Sequence, residues 1–132
     1  LIERLGLARH PALAMVEINN ESSLLYSFER GRLTAALTRP WRDALGLQWR
    51  EWFKKREPGA SDAYADLQFT AVMAIRGETF TAFLRDMDRA YLDRMRLVVQ
   101  QAAGWPVPVT GTPSPSSWTD TRIASSGEQC AF

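Results

Sequence analysis

His10 is the only histidine and Cys130 the only cysteine, so acid–base or nucleophilic chemistry would have to be built around one imidazole or one thiol. A histidine base needs a partner that orients it. His10 follows Arg9 and precedes Pro11, and no spacing ties it to a carboxylate such as Glu17; it reads as a surface histidine where a helix ends. A nucleophilic thiolate needs a cation or a helix N-terminus beside it. Cys130 sits in Gly127-Glu128-Gln129-Cys130-Ala131-Phe132 with an acidic neighbour instead. One histidine and one cysteine cannot make a zinc or non-haem iron site, and a lone cysteine excludes an internal disulfide framework. No catalytic, cofactor-binding or metal-ligating residue is assigned.

Three carboxylates, Asp86, Asp88 and Asp93, come close together in the chain. On a helix, positions two or five apart diverge. Asp86 and Asp93 share a face but lie roughly 10 Å apart along the axis, so with Arg85, Arg89 and Arg96 interleaved they read as a solvated face. No EF-hand spacing is present, nor is either Gly-rich phosphate pattern.

The aromatic residues carry more information. Trp41, Trp49 and Trp52 alternate with Arg39, Arg42, Arg50, Lys54, Lys55 and Arg56, a mixture that would suit nucleic acid. The tryptophans fall on one helical face and the cations largely on another, however, which is how a core helix with a solvated back reads; nucleic acid is not the expected partner. Trp105 and Trp118 stand in a Pro-, Ser- and Thr-rich stretch, where an aromatic ring can anchor an extended segment to a partner or clip it to its own domain. Trp105, Trp118, Trp49, Trp52 and Tyr91 are the candidate partner-binding residues.

The elements that position these side chains follow from periodicity. Ile2 to Ala8 reads as a short helix stopped at His10-Pro11. Leu24, Tyr26 and Phe28 alternate with Leu25, Ser27 and Glu29, the period of a half-buried strand, and Gly31 can take the positive φ of a hairpin turn. Residues 14–38 therefore predict a short antiparallel meander. Trp41, Leu45, Trp49, Trp52 and Phe53 predict a helix over about 41–56, begun near Thr38 and Pro40 and stopped by Glu57-Pro58-Gly59. Ser61 and the alanines favour a helix over about 61–76, although Leu67, Phe69, Ala71, Met73 and Ile75 also fit a strand. Phe80, Phe83, Leu84, Met87, Tyr91, Met95, Val98 and Ala102 make the clearest seam, a helix over 78–103 closed by Gly104 and Pro106. The fold predicted is α+β: a meander on three helices, with residues 1–103 as one globular domain and 104–132 as an extended tail.

The run Ala14-Met15-Val16-Glu17-Ile18, then Leu24 to Leu33 and Arg39, resembles the opening meander of the actin-like domains in pilus and type II secretion assembly proteins. That resemblance implies a nucleotide-binding module, but the Asp-Gly phosphate motifs of the family have no counterpart here.

Composition sets the outer bounds. A net charge of +1 recruits neither nucleic acid nor an anionic membrane by its field. Lys54 and Lys55 are the only lysines among 16 basic residues, and this arginine bias suggests a GC-rich bacterial or phage genome. No apolar run approaches the roughly 18 residues of a membrane span, and no signal peptide opens the chain. Leu1 in first place fits a piece of a longer protein. The functional expectation is a soluble, cytoplasmic or virion- or secretion-associated, non-enzymatic assembly or adaptor subunit that binds a protein partner or itself. The alternatives are a small enzyme or nucleotide-binding module using Glu17, Glu29, Arg39 or Asp43, and an immunity- or inhibitor-type binding protein.

Overall fold

The computed structural model describes residues 1–19, 23–59, 69–74 and 77–111. The chain divides into two compact units, one formed by Leu24–Asp86 and the other by Leu1–Ser23 with the chain from Met87 onward. Among the described residues the regular structure is five α-helices, one short 3-10 helix and a single pair of two-residue strands. Helices dominate, and the antiparallel meander expected over 14–38 does not form.

In the Leu24–Asp86 unit, the segment expected to be a strand is helix α1 (Leu24–Glu29). Its buried residues are Leu25 and Phe28, three apart as on a helix face, and not the alternating set. Arg30 stacks over the Tyr26 ring at 5.3 Å, a pairing that four-residue helical spacing allows. Gly31 does have positive φ, 67°, but it ends a helix. The Gly31 amide donates to the Phe28 carbonyl at 2.9 Å and the Arg32 amide to Ser27 at 2.7 Å, the paired bonds of a Schellman C-cap. The left-handed residue that a hairpin turn demands is also the one a helix end demands. Helix α2 (Leu33–Ala36) is a single turn that buries Leu33. With both segments helical, the likeness to an actin-like opening meander is lost.

Helix α3 (Arg39–Arg56) lies where the tryptophan spacing puts it. Thr38 is the N-cap in extended backbone but its side chain makes no capping bond; Pro40 sits in the first turn, where no amide is needed. Lys54, Lys55 and Arg56 occupy the last turn, favourable to the helix dipole. Of the segment expected to be helical over about 61–76, Phe69–Ala74 is helix α4, with Val72 and Met73 buried; Ser61, Tyr64, Leu67 and Ile75 lie outside the described residues. Helix α5 (Glu78–Ala103) has the bounds its seam predicts. At its start the Thr81 hydroxyl donates back to the Gly77 carbonyl at 3.2 Å, which satisfies a buried polar group.

The core of this unit is aromatic. Trp49 has no exposed surface. Its ring centroid lies 5.2 Å from Phe53, 5.6 Å from Phe80 and 5.4 Å from Phe83, and Phe28 meets Phe80 edge-on at 5.0 Å. Stacked and edge-to-face pairs at these separations add about 0.5–1.5 kcal/mol each beyond area burial.

The other unit is built on the C-terminal part of α5. Gly104, at φ 75°, closes the helix and its amide donates to the Gln100 carbonyl at 2.9 Å. The chain then returns, with Val107 and Val109 buried against Val99 and Ala103. Gln100 Nε2 donates to the Val107 carbonyl at 3.2 Å and steadies the return. Strands β1 (Val16–Glu17) and β2 (Val109–Thr110) pair in parallel, with Val16 opposite Val109 and Glu17 opposite Thr110. Two further bonds extend the ladder: the Val16 amide to the Pro108 carbonyl and the Ile18 amide to the Thr110 carbonyl. Ile2, Leu13, Val16 and Ile18 complete the cluster. The N-terminal helix expected over Ile2–Ala8 is instead a series of turns leading to a 3-10 helix, Leu7–Arg9. It stops at His10, extended before Pro11 as the proline requires.

Candidate functional site

The residues proposed for chemistry are occupied by ordinary structural tasks. His10 is exposed and its Nδ1 accepts the Ala12 amide at 3.2 Å. Asp86 Oδ2 accepts the Trp52 indole N–H at 2.9 Å, Asp88 is buried, and Asp93 pairs with Arg96 at 3.6 Å. Arg39 and Asp43 meet each other at 3.9 Å on an exposed surface; Glu17 and Glu29 are exposed. Cys130 lies outside the described residues. Among the described residues, no group of three or more histidine, cysteine, aspartate or glutamate side chains comes together as a metal would need. Two guanidinium nitrogens, Nε of Arg42 and Nε of Arg85, are buried without a hydrogen bond among the described residues. Arg42 spends its Nη2 on the Leu37 carbonyl at 3.0 Å.

The five candidate partner-binding residues separate sharply. Trp49 is core, as its burial shows, and presents nothing outward. Trp52 is half-buried, stacked on Trp49, edge-to-face with Phe83, bonded to Asp86 and covered by the Arg56 guanidinium at 5.1 Å. Trp105 donates its indole N–H to the Ala8 carbonyl at 3.0 Å and so clips the returning chain to the N-terminal segment, while leaving 40% of its surface exposed. Trp118 lies outside the described residues. Tyr91 stands on α5, 42% exposed.

Tyr91 belongs to a larger surface. The apolar seam of α5 is buried at Phe80, Phe83 and Leu84. From residue 91 onward the buried residues are Leu92, Val99 and Ala103, which lie about 80–120° round the helix from Tyr91 at roughly 100° per residue. The second half of the predicted seam, Tyr91, Met95, Val98 and Ala102, is therefore left at the surface, half-buried or exposed. Leu97 and Val98 are 60% and 51% exposed. Ala90, Arg94 and Gln101 complete this face. It is largely apolar, with a phenol, one guanidinium and one carboxamide, and is carried on a helix whose other side is fixed by Val107 and Val109.

Leu97 was not singled out by spacing, because it falls off the seam; only its exposure next to Val98 marks it. Its signal in the sequence is the adjacent pair Leu97-Val98 and then Val99, three consecutive apolar residues where a helix packed on one side needs fewer. Among the described residues no helix is long and apolar enough to cross a membrane. No protein-family model, curated protein or solved structure matches the chain.

Proposed function

We propose that this chain is a non-enzymatic protein-interaction subunit, an assembly or adaptor component, that docks a protein partner on the outward face of α5. The observation that supports this reading is the exposure of Tyr91 and, about two turns further along the same helix, of the adjacent pair Leu97 and Val98. Scattered exposed apolar residues are normal, but a contiguous set on a regular element marks interaction surfaces. Tyr91, Arg94, Met95 and Val98 have the i, i+3, i+4, i+7 spacing by which a helix fills a partner's groove. Tyrosine and arginine are also the side chains that most often anchor interfaces. The helix is pre-ordered by Leu92, Val99 and Ala103 on its other side, so docking would cost little conformational entropy.

The test is a photo-crosslinking amino acid placed at Leu97 or Val98 of the full chain, expressed in its native cells, with the same group at the exposed Thr34 as control. A discrete adduct at 97 and 98 and none at 34 supports the reading, and its mass distinguishes a second copy from another protein. The absence of a discrete adduct at both α5 positions overturns it.

A further inference from the structure

We draw no further inference here: the strongest candidate, the apolar stripe of Tyr91, Met95 and Val98 on α5, belongs to the surface already described, and nothing in the structure shows what covers it.

Discussion

The indole of Trp52, on α3, donates to the carboxylate of Asp86, on α5, at 2.9 Å. These residues are 34 apart in the chain. The bond is partly buried and charge-assisted, and such bonds contribute about 1.5–3 kcal/mol when shielded; part exposure puts this one near the lower end. Trp52→Phe should lower stability by roughly 1–2 kcal/mol in urea unfolding, and Asp86→Ala by a similar amount. In a double-mutant cycle the two losses should fail to add by about 1 kcal/mol. Simple additivity would mean that the bond contributes nothing to the folded state.

Trp41 and Trp49, both on α3, should differ greatly in cost. Trp49→Ala empties a fully buried site ringed by Phe53, Phe80 and Phe83 and should cost about 3–5 kcal/mol. Trp41 is 69% exposed, and Trp41→Ala should stay within about 0.5 kcal/mol of the parent. Thermal unfolding followed by far-UV circular dichroism measures both; equal losses would place Trp41 in a core.

Residues 24–29 should show helical Cα chemical shifts by NMR, with strand-like shifts at residues 16–17 and 109–110 and cross-strand contacts between Val16 and Val109. Extended shifts through Leu24–Phe28 would restore the meander.

Trp105→Phe keeps the ring but removes the donor to the Ala8 carbonyl. A neutral hydrogen bond of this kind contributes about 0.5–1.5 kcal/mol. Because it ties the segment around Ala8 to the returning chain, the clearest readout is faster limited proteolysis within residues 1–13, while Leu24–Asp86 is unaffected. An unchanged cleavage rate would show that Ile2 and Leu13 hold the segment without the indole.

Leu97→Glu combined with Val98→Glu should leave stability within about 0.5 kcal/mol, since both positions are exposed and glutamate is a better helix former than valine. The same pair should abolish a crosslinked adduct formed from Tyr91→p-benzoylphenylalanine. Loss of folding in the double variant would instead mean that this face is packed in the native protein.

Legibility differed between elements for definable reasons. Helices α3 and α5 are long, amphipathic and punctuated by Pro40, Pro58 and Gly104, so their local signals agree with one another. Residues 24–36 are short, and over six residues an apolar set can satisfy both a two-residue and a three-to-four-residue period; Gly31 is equally at home in a hairpin turn and at a helix end. The β1–β2 pair was illegible because two-residue parallel strands drawn from residues 16–17 and 109–110 have no local turn to announce them.

By itself, the sequence determined where the long helices begin and end, through side-chain periodicity, proline and glycine, all of which act over a few residues. Only the tertiary structure decided which stripe of α5 is buried. Tyr91-Met95-Val98-Ala102 and Leu92-Val99-Ala103 are both apolar and both helically spaced, so helix formation does not choose between them. The choice falls to Val107 and Val109, which return from Gly104 onto the second stripe and leave the first in water. Burial is set by what arrives from elsewhere in the chain, and that arrival is a non-local event that no window along α5 contains.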